Sequence, residues 1–275
     1  MIVGLGLIGG SYARGLKQAG YRVGAVTRSA DTLGYALDKG WIDEGATSLD
    51  ASFAANYDIV VLALYPGVLL EWLAANRQFF KKGTLVTDVT GIKCAVVYRA
   101  QEILGPGIEF IGAHPMAGRE VYGIRNADNA IFKGANYLVT PTPANTTEAI
   151  ECCEELGRTL GFGRISRLSP EKHDEMIGFL SQLTHCIAVA LMTCRDTSNF
   201  PEYTGDSFRD LTRIARINAD MWTELFLQNR EALLEQTDLF IAQMQRIRDA
   251  VASGDAQALK QWMTLSTERR TLFDK

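Results

Sequence analysis

Gly4-Leu5-Gly6-Leu7-Ile8-Gly9-Gly10 follows the apolar triplet Met1-Ile2-Val3 and opens a helix-length stretch that runs to about Ala19-Gly20. The order strand, glycine-rich turn, helix makes this Gly-x-Gly-x-x-Gly spacing the stretch that decides the fold. Its first glycine permits a tight turn, the second lets the backbone approach a pyrophosphate, and the third lets helix and strand pack closely. The unpaired N–H groups and dipole of the helix N-terminus then favour phosphate. Gly4, Gly6, Leu7, Ile8 and Gly9 are therefore read as dinucleotide-binding. A glycine turn alone often serves structure only, but at the first strand of an alternating series it points to binding.

That series is visible downstream. Short β-branched runs at Tyr21–Thr27, Asp58–Leu64, Thr84–Val89, Glu109–Ala113, Tyr137–Thr140 and Gly163–Arg167 are separated by helix-length segments. Such alternation predicts a mostly parallel sheet with helices on both faces. Glycine then divides the chain: 22 of the 25 glycines lie at or before Gly163. No Gly or Pro occurs from Asp206 to Ser253, and Leu233, Phe240, Met244, Ile247 and Val251 recur at helical spacing. An α/β nucleotide-binding domain over 1–167 and an all-α domain over 168–275 are expected. Long helices with so few neighbours bury their apolar stripes against a second copy, so a homodimer is expected.

Composition bounds the function. The chain has 275 residues, 47% hydrophobic and 22% charged, which is a globular balance. A net charge of −4 gives no electrostatic footprint for nucleic acid. The longest unbroken apolar runs, Ile59–Leu64 and Ile187–Met192, have six residues, and no membrane partner is expected. The start shows no signal-peptide pattern. Five cysteines, two of them adjacent, are an odd set for a disulfide framework. A cytoplasmic address follows as an expectation. No cluster has metal-ligand spacing, so no metal is expected.

The second strand ends at Ala25-Val26-Thr27-Arg28-Ser29, where an NAD site usually carries an acid for the ribose hydroxyl. Arg28 and Ser29 suit a 2′-phosphate, which leans toward NADP; the other reading of Arg28 is adenine stacking or simple solvation. NAD or NADP is the expected cofactor.

Three histidines carry most of the chemistry that can be weighed. His114 follows Glu109-Phe110-Ile111-Gly112-Ala113 and opens His-Pro-Met-Ala-Gly, which puts it at a strand's carboxyl end, where open α/β sheets build their sites. Imidazole there suits proton acceptance near neutral pH, with an apparent pKa expected near ~6.5. Asp88-Val89-Thr90-Gly91-Ile92-Lys93 also passes from strand to helix, so Thr90 and Lys93 either face the same crevice or serve as an N-cap and a solvated side chain. Arg209, Arg213 and Arg216 fall three and four apart, on one face of an expected helix. Guanidiniums so placed suit a substrate bearing carboxylates, or else a solvated face. His185 lies in an apolar helix as a structural or substrate-side group. Ser169-Pro170 with His173-Asp174 reads as helix capping and domain docking rather than catalysis.

Gly-Leu-Gly-Leu-Ile-Gly-Gly-Ser at 4–11, Thr87-Asp88 through Lys93, Gly-Ala-His-Pro-Met-Ala-Gly at 112–118, and Phe-Arg-Asp-Leu-Thr-Arg-Ile-Ala at 208–215 followed by Met221-Trp222 together resemble the prephenate dehydrogenase family, which includes arogenate and cyclohexadienyl dehydrogenases. The resemblance implies a Rossmann-like domain, a dimerising helical domain, and NAD(P)-dependent oxidative decarboxylation of a cyclohexadienyl ring in tyrosine biosynthesis. It implies that His114 bonds the ring hydroxyl, Arg213 binds a substrate carboxylate, and Lys93 and His185 belong to the site; Arg209 is a substrate-binding candidate from its helix face alone. Many relatives have Ser where this chain has Gly91, and Thr90 is the expected substitute; some have His at Gln182. Neither a regulatory ACT domain nor a chorismate mutase segment is expected in the chain's length.

Two other classes compete. A dinucleotide sensor would need the glycine turn but no proton acceptor. A reductase of the β-hydroxyacid or pyrroline-carboxylate type would need a lysine in the helical domain, for which Lys172-His173 is a poor match.

Overall fold

A computed structural model of the chain describes residues 1–274. Eight strands form one sheet: β1 (Ile2–Val3), β2 (Gly24–Val26), β3 (Glu44–Ala46), β4 (Ile59–Leu62), β5 (Leu85–Asp88), β6 (Glu109–Met116), β7 (Asn136–Thr140) and β8 (Arg164–Arg167). Their order is β3-β2-β1-β4-β5-β6-β7-β8, and every pair is parallel except β6 with β7. β3 is not among the runs expected from sequence; it is a three-residue strand whose Glu44-Gly45-Ala46 carries no apolar run to betray it.

Side chains of a strand alternate between faces, and here both faces are apolar. Ile2 and Val61 join one buried cluster with Tyr12, Ala25, Phe132 and Tyr137, while Val3 and Val60 join the other with Leu69, Leu73, Val96 and Val97. The covering helices are α1 (Leu7–Gln18), α2 (Ala30–Asp38), α3 (Ala51–Ala54), α4 (Pro66–Asn76), α5 (Cys94–Leu104) and α6 (Thr147–Thr159).

β6 changes partner midway. It pairs with β5 only from Glu109 to Ile111, then with antiparallel β7 from Gly112 to Met116. His114, expected at the strand's carboxyl end, therefore lies within the antiparallel half of β6, opposite Leu138, with Pro115 and Met116 still in the strand. Pro115, which lacks an N–H, is tolerated because β5 has already ended beside it.

The rest is helical: α7 (Pro170–Ile177), a π-helical turn at Gly178–Leu183, α8 (Thr184–Thr193), α9 (Asp206–Thr212), α10 (Ala219–Gln228), α11 (Arg230–Ser253) and α12 (Ala256–Arg270). Ser169 caps α7 by accepting the Lys172 N–H at 3.2 Å, with Pro170 in the first turn. Within the 24-residue helical run Pro170–Thr193 an 18-residue window reaches a mean hydropathy of 1.6, which by length and composition alone suffices to cross a membrane. The six-residue limit on unbroken apolar runs misses this, because scattered Ser, Thr and Gln residues interrupt the runs without lowering the average much. His173, Asp174 and Gln182 of this run are buried and hydrogen-bonded.

The chain divides into two compact units, Met1–Asn229 and the residues from Arg230 onward. This break falls later than the change in glycine content, because α7 and α10 are bonded to the sheet unit through Asp174 and Glu224. In the second unit α11 exposes Leu234, Ile241, Met244 and Val251.

Candidate functional site

The glycine turn has the shape its spacing implies. Gly4 sits at φ +89°, and a Cβ there would lie 2.4 Å from the Ala63 carbonyl oxygen. A Cβ on Gly9 would lie 1.9 Å from the Gly4 oxygen, so the third glycine is what lets α1 start against the turn. A Cβ on Gly6 would meet no atom within 4 Å. Gly6 is the N-cap of α1 and no side chain caps that helix; Leu7 and Ile8 form its first turn. Open space over Gly6 beside uncapped N–H groups is a cradle that a pyrophosphate fits. At the end of β2, Arg28 is exposed and makes no hydrogen bond or ion pair among the described residues, while Ser29 Oγ accepts the Thr32 N–H at 3.1 Å and caps α2.

The loop after β5 is organised by a buried ion pair. Lys93 and Asp88 are both fully buried, with Nζ 2.6 Å from Asp88 Oδ2. Nζ also donates to the Ala113 carbonyl at 2.7 Å and the Thr90 carbonyl at 2.9 Å, and Asp88 Oδ1 accepts the Ala113 N–H at 3.0 Å. Burial pulls the Lys93 amine below the ordinary lysine range, and the Asp88 carboxylate opposes that pull. Lys93 is thus neither solvated nor directed at a ligand: it clamps the ends of β5 and β6. Thr90 is also turned inward. Its hydroxyl is bonded to Asp88 and lies 2.8 Å from the Ile92 carbonyl, and only 4% of the residue is exposed. The expectation that Thr90 substitutes for the hydroxyl absent at Gly91 is corrected by this commitment. Position 91 itself faces the histidine: a Cβ on Gly91 would lie 3.9 Å from His114 Cε1 and 3.8 Å from Leu225.

His114 is partly exposed, and its Nδ1 lies 2.9 Å from His173 Nε2. His173 Nδ1 lies 2.7 Å from Asp174 Oδ1. Asp174 also accepts the backbone N–H groups of Lys93 and Cys94, each at 2.8 Å, and so caps the N-terminus of α5 from α7. Asn229 Nδ2 donates to the Asp174 carbonyl at 3.0 Å and to Gln182 Oε1 at 2.8 Å, and Gln182 donates to the Leu225 carbonyl. Burial, then His173 and Lys93, hold the His114 pKa well below 6.5. The sequence value near ~6.5 is therefore too high, since it takes no account of these neighbours. His173, read from sequence as a docking residue, is instead fully buried against His114. Its position next to a helix-capping acid hid it, and a separation of 59 positions along the chain gives no local signal.

A second group lies along α10. The His185 ring stacks on Trp222 with centroids 3.7 Å apart, and its Nδ1 is 2.8 Å from the Ser181 carbonyl. Burial, outweighing the Ser181 bond and the Glu120 charge, lowers its pKa. Trp222 and Leu225 are three apart on one helix face, so α10 carries both the wall of His185 and the side chain nearest Gly91.

The three arginines do not share a helical face. α9 stops at Thr212, a 3-10 turn takes Arg213–Ala215, and Arg216 leaves with ψ 87°. Arg213 pairs with Glu120 near the surface, and this pair is the one adjoining His185. Arg209 turns back to the start of its own helix, donating to the Thr204 carbonyl at 2.9 Å and lying 3.5 Å from Asp206. Among the described residues no three His, Cys, Asp or Glu side chains converge as metal ligands.

Comparisons with known proteins agree with this architecture. Residues 12–164 match the nucleotide-binding domain of prephenate dehydrogenase and residues 169–265 its dimerization domain. Prephenate dehydrogenase of Bacillus subtilis is 31% identical over 98% of this chain and 74% of its own length. A crystal structure of prephenate dehydrogenase from A. aeolicus, in complex with hydroxyphenyl propionate and NAD+, superposes with TM-score 0.89 at 27% identity, covering 99% of this chain and 97% of that one. Synechocystis arogenate dehydrogenase superposes at 0.86 with 25% identity, covering 99% of each chain.

Proposed function

The chain belongs to the prephenate dehydrogenase family and is an NAD(P)-dependent oxidoreductase; on that premise we propose that it converts prephenate to 4-hydroxyphenylpyruvate and CO2, with His114 as the group that takes the ring-hydroxyl proton. The observation carrying the reading is His114 itself: one ring nitrogen is committed to His173, and the ring edge lies beside the Gly91 backbone at the carboxyl edge of the sheet.

NAD(P), held by the backbone of Gly4, Gly6 and Gly9 with Leu7 and Ile8 in the first turn of α1, supplies the two-electron acceptor. Arg28 and Ser29 stand where the ribose of that cofactor would bind. His114 accepts the hydroxyl proton at Nε2 while the carbon bearing that oxygen is oxidised. Loss of the ring carboxylate as CO2 returns an electron pair to the ring, and His114 gives the proton back to the phenol oxygen. Aromatisation drives the sequence, so the protein has only to orient the ring and hold the proton. Arg213 binds a substrate carboxylate in exchange for Glu120, with His185 beside it. Lys93 and Thr90 act from behind, by fixing the loop, and Arg209 stays at the head of α9.

The 1–167 and 168–275 division is part of the proposal, supported by the two family matches that meet between 164 and 169. So is a homodimer, supported by the dimerization-domain match and the exposed apolar stripe of α11. A cytoplasmic address fits five free cysteines. The second reading, arogenate as substrate, is favoured by the likeness to the Synechocystis enzyme.

The test is reduced-cofactor formation with prephenate and with arogenate, each with NAD and with NADP, for the wild type and His114→Asn. The variant should bind substrate but lose ~10² to 10⁴ in kcat. Full kcat in His114→Asn would remove His114 from the chemistry, and no turnover of either substrate by the wild type would remove the reading altogether.

A further inference from the structure

We propose that His173 and Asp174 are positioning residues that fix the tautomer of His114 and stabilise the charge it gains; this rests on the reading of His114 as proton acceptor. Asp174 Oδ1 and Oδ2 lie on the N–H groups of Lys93 and Cys94 at the start of α5, which can only donate. Facing donors on both oxygens at a helix N-terminus, the carboxyl group is ionised and has no proton to give. The hydrogen between Asp174 and His173 therefore sits on His173 Nδ1.

A neutral His173 so protonated has a lone pair on Nε2, the atom 2.9 Å from His114 Nδ1. His114 must then carry its hydrogen on Nδ1, and its own lone pair falls on Nε2. Three links starting at the α5 backbone thus decide which nitrogen of His114 can act as a base. When a proton reaches His114 Nε2, the Nδ1–H stays bonded to His173, and the new positive charge lies one ring away from the Asp174 carboxylate. Other charges around the rings are the ammonium of Lys93, which disfavours protonation of either histidine, and the carboxylate of Asp88, which Lys93 itself neutralises.

Only three histidines exist in the chain, so long-range 1H–15N spectra of the wild-type protein, assigned with single His variants, read each ring directly. Above the titration range both His114 and His173 should show a protonated Nδ1 and a bare Nε2. A hydrogen on His114 Nε2 overturns the proposal, and this measurement needs no folded variant at position 173. The kinetic arm compares His173→Leu, which cannot accept the Nδ1–H, with His173→Gln, whose amide oxygen can. Leu should lower kcat by about tenfold or more with little change in KM and move the acid limb; Gln should recover part of the loss. In a His114→Asn background, His173→Leu should change kcat by less than about twofold, because the dyad acts only through His114. An equal loss in both backgrounds refutes the positioning role. If His114→Asn alone leaves kcat intact, the proton-acceptor reading is what has failed, while the tautomer spectrum still judges the dyad.

Discussion

Lys93→Met separates a structural clamp from a substrate contact. The methionine matches the aliphatic stem of the lysine but has no donor for the Asp88 carboxylate or for the carbonyls of Ala113 and Thr90. Asp88 would keep the N–H groups of Ala113 and Thr90 yet lose its counter-charge in a place with no access to water. Breaking a buried pair by removing one partner costs about 3–5 kcal/mol. The abandoned carbonyls do not add their full cost, since they belong to the same network. A loss of about 3–5 kcal/mol is thus expected, a large share of the roughly 5–15 kcal/mol that holds a domain together. Urea unfolding followed by tryptophan fluorescence measures it as a lowered midpoint. Asp88→Asn in the Lys93→Met background removes the orphan charge and should recover part of the loss. A Lys93→Met protein with an unchanged midpoint and a raised KM would refute the clamp and restore the substrate contact expected from sequence.

Gly6→Val should leave the unfolding free energy in urea within about 1 kcal/mol of wild type, because its Cβ meets no protein atom, yet weaken NAD(P) binding by calorimetry at least tenfold; unchanged affinity would place the cofactor elsewhere. Arg213→Ala removes an exposed ion pair of little stabilising value, so the fold should hold while KM rises by roughly the 1–3 kcal/mol of a charged hydrogen bond; a native KM would show a merely solvated arginine. Because the neutral ring is the active form and its pKa is held below 6.5, the acid limb of kcat/KM should fall below pH 6.5, with activity lost only as pH drops through that lowered value; a limb at or above 6.5 contradicts the lowering by desolvation, His173 and Lys93.

Local pattern made the nucleotide half legible. The glycine spacing, the β-branched runs and the Ser169-Pro170 cap are short-range signals and stand where the sequence puts them, whereas Ser29, read from sequence as a phosphate contact, caps α2. The failures share a cause. Lys93 and Thr90 look solvent-facing by type and are buried because a carboxylate next to them on β5 collects both. The arginine face dissolves because α9 ends at Thr212 and Arg216 leaves the 3-10 turn that follows with ψ 87°, while Arg209 and Arg213 bond to different partners. His173 became visible only when folding brought it to His114. These are consequences of contacts distant in sequence, on which periodicity is silent.

The carboxylates of the helical segment also explain how the dinucleotide's place is chosen. Of the helices that begin just after the carboxyl ends of the parallel strands β1 to β5, α2 is capped by Ser29 and α3 by Asp50, while the N-cap residues of α1, α4 and α5 give no side-chain cap and leave three sets of N–H groups with a partial positive charge that suit an anion. The α5 N-terminus is taken by Asp174, and the α4 N-terminus by Glu224, whose Oε1 accepts the Gly67 N–H at 2.6 Å. A phosphate arriving at either would meet a fixed negative charge at contact distance, and the carboxylate would have to be expelled from its hydrogen bonds. Only α1 begins at a glycine, with no side chain capping it and open space above Gly6. The acids that dock α7 and α10 onto the sheet thereby close two anion sites out of three, and α1 remains the one that can take a pyrophosphate.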